Sequence, residues 1–278
     1  MADLTAIILT RNEENYIAEC IESIKSIAKR IVVVDSFSED KTVEIAKEAG
    51  AEVHQHEFFN YAKQYMYAVE IANVKTTWIL RIDADERLTA ESAEELEKLC
   101  NENENTSVSG IELRFYNMFL GKPMMHGGMY PWKKLSVYKT GIGNIEDRNM
   151  DEHIILKSGT IKEAKKDSIH LAFRGLTFFT NKCNWYSTRE AMDYFEQKKV
   201  STSNADFKTR LKMKLYYKLP LGFRSWLYRY YIRLGFLDGK EGKIFAFLHA
   251  YWYRFLVDAK IYEHEKMGTE FKPTGALK

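Results

Sequence analysis

The sequence predicts an α/β fold, a mostly parallel sheet flanked by helices and followed by a helical C-terminal tail. Short β-branched apolar runs alternate with helix-period segments through the first 87 residues. Polar, acid-rich loops follow the first, second and fourth of those runs. Beyond about residue 200 the chain becomes basic and aromatic, without a strand pattern.

Leu4 to Leu9 reads as a central strand, and Thr10-Arg11-Asn12-Glu13-Glu14-Asn15 as the polar loop after it. Asn15 or a neighbour caps a helix starting near Tyr16, in which Ile17, Cys20, Ile21, Ile24 and Ile27 form one apolar face. Ile31 to Val34 is the second strand, and the loop from Asp35 to Lys41 leads into a helix from Thr42 to Ala49 that Gly50 closes. Ala51 to His54 is a third short strand, Tyr61 to Ala72 a helix, and Thr77 to Ile82 the fourth strand. Strand–helix repeated three times implies parallel pairing through right-handed crossovers. Further on, Ala90 to Glu102 reads as an amphipathic helix. Gly110 to Asn117 and Leu135 to Tyr138 read as strands, with a mobile loop from Gly121 to Trp132 between them. Ser168 to His170 ends another strand, Phe178 to Lys199 is a helix packing back on the sheet, and Ile244 to His264 is a final helix.

Composition narrows the function classes. The chain has 278 residues, 45% of them hydrophobic, ample for one large domain or a domain with an appendage. A net charge of +2 gives no bulk drive toward nucleic acid, and none is expected as a partner. Cys20, Cys100 and Cys183 are odd in number and widely spaced, which reads as reduced thiols in a cytosolic protein. The chain enters a strand almost at once, without a signal-peptide pattern. Its longest late apolar run falls short of the ~20 residues that span a bilayer. The expected location is cytoplasmic, peripheral on the inner face of the cell membrane.

The chemistry gathers at strand ends. Asp83-Ala84-Asp85-Glu86 places three carboxylates in four residues at the C-terminal edge of a buried strand, where α/β sheets bind ligands. Such oxygens suit Mg²⁺ or Mn²⁺ carrying a diphosphate, and equally a solvated acidic turn. Asp35, with Ser36, suits a ribose hydroxyl or a uracil N–H, or caps a turn. There is no G-x-G-x-x-G and no P-loop, so a bound nucleotide is held by side chains and a metal.

Ile7-Ile8-Leu9-Thr10-Arg11-Asn12-Glu13-Glu14, Val33-Val34-Asp35-Ser36-Phe37-Ser38-Glu39-Asp40-Lys41-Thr42 and Ile82-Asp83-Ala84-Asp85-Glu86, in this order and spacing, resemble family 2 glycosyltransferases of the GT-A fold. The branch most similar is the one that builds bacterial lipopolysaccharide core, capsule and related glycans. The resemblance implies an inverting transferase using a nucleotide-diphosphate sugar, with uridine the expected nucleoside. It places the nucleoside against Thr10, Asn12, Glu13, Asp35 and Asp83, and the metal on Asp85. Glu86 goes to the second shell or to solvent. Phe59 to Gln64 resembles a segment beside the nucleotide, where Lys63 or Gln64 reaches base or diphosphate. Lys134 stands, with Lys133, where related transferases carry an arginine. Meeting a phosphate there, lysine is a point charge without the bidentate fork. Tyr130 and Trp132 are candidates for stacking on a sugar on the acceptor side.

Inverting transfer to a hydroxyl needs a carboxylate to take the acceptor proton, and the resemblance places it at Asp151 or Glu152. Adjacent residues on an extended segment face opposite ways, so one of the two is the base, with Glu152 preferred. His170 fits the position of a histidine that completes the metal shell in some GT-A enzymes. With Asp83 and Asp85 it would suit Mn²⁺.

The tail differs in kind. Residues 210–234 hold seven Arg or Lys and no acid, interleaved with Leu, Met, Phe, Trp and Tyr. That pattern suits an anionic membrane surface, each charge adding ~1 kcal/mol, and also a packed helical pair or a homo-oligomer interface. The expected layout is a GT-A catalytic domain over 1–200 and a basic, aromatic helical region over 201–278. The expected partners are a nucleotide-diphosphate sugar and a glycan or lipid-linked acceptor. Two alternatives stand beside this reading: a sugar nucleotidyltransferase, disfavoured by a first loop with no glycine and one arginine, and a noncatalytic membrane-docked protein that binds nucleotide sugars.

Overall fold

The computed structural model describes residues 1–146, 152–204 and 221–271. They fall into two compact units, one of Met1–Asn117 with Pro131–Leu171, the other of Met118–Tyr130 with Ala172–Lys278. Asp151 and positions 210–220 lie outside the described residues.

The first unit is α/β, as expected. Its strands and helices run β1 (Leu4–Thr10), α1 (Ile17–Lys25), β2 (Arg30–Asp35), α2 (Thr42–Glu48), β3 (Glu52–Gln55), α3 (Tyr61–Ala72) and β4 (Trp78–Arg81). There follow β5 (Glu86–Arg87), α4 (Ala90–Asn103), β6 (Val108–Phe119), and, past the short β7 (Lys122–Met124) of the second unit, β8 (Trp132–Lys139). The hairpin strands β9 (Gly143–Ile145) and β10 (Ile154–Leu156) and the long β11 (Thr160–His170) complete it. The sheet order is β3-β2-β1-β4-β8-β6-β11-β5. The β3-β2-β1-β4 half is wholly parallel, while β8 runs antiparallel to both β4 and β6. β11 is parallel to β6 and antiparallel to β5.

Both faces of the parallel half are covered, which is why its strands read as continuous apolar runs. Ala6, Ile8, Val33 and Leu80 pack with Ile17, Ile21, Ile24, Ala46 and Leu96 of α1, α2 and α4. Ile7, Val32, Val34 and Ile79 face the other way, against Ala62, Tyr65 and Ala68 of α3. α3 occupies the predicted span, and the Asn60 side chain caps it by accepting from Lys63 N. α1 has no side-chain cap. Instead Glu13 O accepts from Tyr16 N and Ile17 N, each at 2.9 Å. All three cysteines are buried and free.

The second unit is built on helices. α5 (Leu176–Asn204) packs against α8 (Tyr253–Met267) through Ala191, Val257 and Ile261. Residue 200 lies inside α5. Between them come α6 (Leu221–Leu227), a π turn (Tyr228–Ile232), a 3-10 turn (Gly235–Asp238), α7 (Gly239–Phe245) and a second π turn (Ala246–Trp252). Phe119, Phe173, Phe179 and Phe245 form an aromatic knot around the Phe119 ring. The loop expected to be mobile is anchored: His126 N donates to Asp238 Oδ2 (2.9 Å) and Gly127 N to Arg233 O (2.9 Å). Among the described residues no helix is long and apolar enough to cross a membrane.

Candidate active site

The parallel half-sheet carries its three polar loops out of one edge, after β1, β2 and β4. The first two are laced together. Thr10 and Asp35 are register partners at the strand ends. The Thr10 hydroxyl donates to Asp35 Oδ1 at 3.0 Å. Asp35 is fully buried, and its carboxylate also accepts from Ser38 N (2.8 Å), the Ser38 hydroxyl and Gln55 Nε2 (3.4 Å). Asn12, at φ 56°, donates its N–H to Ser38 Oγ (2.8 Å) and accepts from Glu39 N (2.9 Å). Glu13 N donates to Thr42 Oγ1 at 2.7 Å. Thr10, Asn12, Glu13 and Asp35 therefore belong to one connected wall, though much of Asp35's accepting capacity is spent on holding it.

The β4 loop is organised by groups whose roles the sequence reading did not anticipate. Asp83 accepts from the Tyr61 hydroxyl (2.6 Å) on Oδ1 and from Lys134 Nζ (2.6 Å) on Oδ2. Lys134 also reaches both oxygens of Glu86, at 2.7 and 2.9 Å. Glu86 is fully buried and accepts from Asp83 N (3.0 Å), so its place is beneath the loop rather than in solvent. Burial works to raise the Asp83 pKa, but Lys134 and Arg81 overcome it and hold the carboxyl below its ordinary range. Glu86 is raised, because burial outweighs the ammonium it shares with Asp83. Lys134 is itself raised, since its two carboxylates more than offset its burial. Two acids sharing one base is the arrangement that drives such shifts.

Arg81, the last residue of β4, is also buried. Its Nε donates to the Tyr61 oxygen (3.0 Å), its guanidinium lies 4.5 Å from the Tyr61 ring centre, and Nη1 donates to Glu152 O (2.9 Å). A buried charge in an apolar strand must be paired. That signal was present in Trp78-Ile79-Leu80-Arg81. The partners were not, because Tyr61 and Glu152 lie 20 and 71 residues away along the chain.

Glu152 sits in the β9–β10 connection just before β10, next to His153, whose carbonyl accepts from Glu146 N (3.0 Å). His170 is the register partner of Glu86, so β11 delivers it beside the acidic loop. Its Nε2 stands 3.8 Å from Asp85 Oδ2, its Nδ1 is 2.7 Å from Asn117 Oδ1, and its ring lies 4.9 Å from that of Trp132. Leu171 N donates to Asp85 O (2.8 Å), fixing the backbone of that acid. Asp85 and His170 thus come together, whereas Asp83 is committed to Tyr61 and Lys134. Among the described residues no three His, Cys, Asp or Glu side chains form a metal cluster.

Lys63 is exposed, with Nζ 3.8 Å from the Phe59 ring centre. Gln64 is buried and bonded to Ser36 Oγ (3.0 Å), His56 O (3.2 Å) and His56 Nδ1 (2.7 Å). It supports the β2 loop from beneath. Tyr130 belongs to the second unit.

Asp85 Oδ2 and His170 Nε2, 3.8 Å apart, are the two donors at this edge that would hold a divalent ion. They would offer such an ion one carboxylate oxygen and one imidazole nitrogen.

Residues 5–186 match the model described as Glycosyl transferase family 2. An uncharacterised glycosyltransferase of Rickettsia bellii is 31% identical, over 94% of this chain and 86% of its own. The lipopolysaccharide core biosynthesis glycosyltransferase LpsC of Rhizobium meliloti is 29% identical, over 95% of this chain and 93% of its own. Among solved structures, mannosyl-3-phosphoglycerate synthase from Rubrobacter xylanophilus aligns over 42% of this chain and 41% of its own, at 22% identity and a TM-score of 0.36.

Proposed function

The chain belongs to glycosyl transferase family 2 and is a glycosyltransferase; from that premise we propose that it moves a hexose, with inversion, from a nucleotide-diphosphate sugar to a glycan or lipid-linked acceptor in bacterial cell-surface polysaccharide synthesis. The observation that carries the reading is the pairing of Asp85 with His170 at the sheet edge where Thr10, Asn12, Asp35 and Asp83 also converge. The part played by the relative LpsC in lipopolysaccharide core biosynthesis, over nearly the whole chain, supports the acceptor class.

In this reading Thr10, Asn12, Glu13 and Asp35 line the nucleoside side, and Asp83 bounds it toward the diphosphate. Asp85 and His170 would hold Mn²⁺ or Mg²⁺, which when bound neutralises charge on the leaving diphosphate. The acceptor oxygen attacks the anomeric carbon from the face opposite the diphosphate. As the new carbon–oxygen bond forms, the bond to the diphosphate oxygen breaks and the nucleoside diphosphate leaves with that electron pair. Glu152 or Asp151 takes the hydroxyl proton. Trp132, whose ring is tilted against that of His170, offers an apolar face to a sugar ring.

A panel of nucleotide sugars, assayed for binding, hydrolysis and transfer with Mn²⁺ and with EDTA, tests the reading. Metal-dependent binding of one donor, lost in Asp85→Ala and His170→Ala, is the expected result. Indifference of every donor to metal and to both substitutions would overturn it.

A further inference from the structure

Among the described residues of the second unit, the turn that follows the first π turn exposes its apolar side chains. Tyr231, Ile232, Leu234, Phe236 and Leu237 are all exposed, Ile232 by 71% and Leu237 by 53%. Their exposure is fixed by the backbone. Arg233 N donates to Tyr228 O (2.8 Å), Leu237 N to Leu234 O (2.9 Å), and Arg233 O accepts from Gly127 N (2.9 Å). Gly235 lies so close to its neighbours that a Cβ there would meet Arg229 O at 2.9 Å, and Leu234 holds a left-handed φ of 59°. The turn is thus held in shape by backbone hydrogen bonds with its apolar side chains outward.

Among the described residues, the exposed charge around the turn is basic. Arg224, Arg233, Lys240 and Lys243 are exposed. Of the acids nearby, Asp238 is buried against His126, and Glu241 faces Lys122 Nζ at 3.8 Å. Tyr228, half exposed, and Phe223 continue the apolar surface along α6 and the π turn. Lysine is depleted from protein–protein contacts, whereas lysine and arginine around Tyr, Phe, Leu and Ile is the composition of an interfacial membrane contact. We propose that the turn Tyr231–Leu237 is a wedge that enters the headgroup and upper acyl region of an anionic bilayer, with Arg224, Arg233, Lys240 and Lys243 on the headgroups. The proposal concerns the second unit alone and does not depend on the reaction assigned to the first.

Flotation of the full-length protein with vesicles tests it. Wild-type protein is expected to float with phosphatidylcholine–phosphatidylglycerol vesicles and to stay in the dense fraction with pure phosphatidylcholine. Ile232→Ser with Leu237→Ser should lower the partition coefficient by about tenfold or more, since two buried aliphatic side chains are lost. Arg233→Glu with Lys243→Glu should lower it on the order of tenfold and abolish its salt dependence. Thermal melting of each variant establishes that it folds, which substitutions at such exposed positions permit. Wild-type protein that fails to float, or variants that partition like wild type, would overturn the wedge. So would wild-type self-association in sedimentation velocity that Ile232→Ser with Leu237→Ser abolishes, since the turn would then be a contact between copies.

Discussion

The Arg81 guanidinium donates from Nη1 to the carbonyl oxygen of Glu152 across 2.9 Å, while its Nε meets the Tyr61 oxygen that in turn donates to Asp83. One buried side chain therefore ties the segment carrying the proposed base to the acid on the donor side. Lysine in its place keeps the charge but cannot make both bonds at fixed angles. Arg81→Lys should lower kcat by about tenfold or more through loss of alignment, with donor KM changed by less than about threefold. Initial rates at varied donor and acceptor check this, and a change confined to donor KM would remove Arg81 from the positioning of Glu152.

The two candidate bases separate by rate. Glu152→Gln and Asp151→Asn should both leave donor binding near wild type, and only one, expected to be Glu152→Gln, should lower kcat by about a hundredfold or more. Single-turnover transfer alongside donor titration makes the distinction, and equal mild effects would exclude both residues.

Lys134 holds two acids together where water is scarce. Lys134→Ala leaves Asp83 and the fully buried Glu86 facing each other without the ammonium they share, and should cost about 3 kcal/mol of stability. Adding Glu86→Gln should recover part of that loss by removing one charge. Chemical denaturation of the two variants checks the order, and an additive double mutant would show that the acids do not oppose each other.

His249 in the second unit gives a pH dependence of known sign. Burial, and then Arg229 with Nη1 at 3.5 Å, depress its pKa from the ordinary 6.5 to about 4. The unfolded chain therefore binds more protons than the folded one between those values. Stability contributed by the neutral ring is present above pH 6.5 and falls as the pH drops toward 4. The slope should approach about 1.4 kcal/mol per pH unit within that window. Calorimetric melting from pH 4 to 7.5 should show it in wild type and not in His249→Phe.

The sequence by itself determined the α/β class, the span of α3 and the three polar loops at one sheet edge. Each follows from local pattern. A strand buried on both faces must be apolar throughout, a helix with one buried face repeats at three and four residues, and the chain direction of parallel strands puts every following loop on the same edge. Only the tertiary structure decided the partners of the charged groups. Lys134 was legible as a basic residue near the site, but its attachment to Asp83 and Glu86 depends on β8 lying antiparallel beside β4, a pairing across more than 50 residues. The same holds for Arg81, Tyr61 and Glu152, and for the outward side chains of Tyr231–Leu237. Coulombic attraction and burial act through space, and a local pattern records neither until the sheet and the turns have brought distant residues within bonding distance.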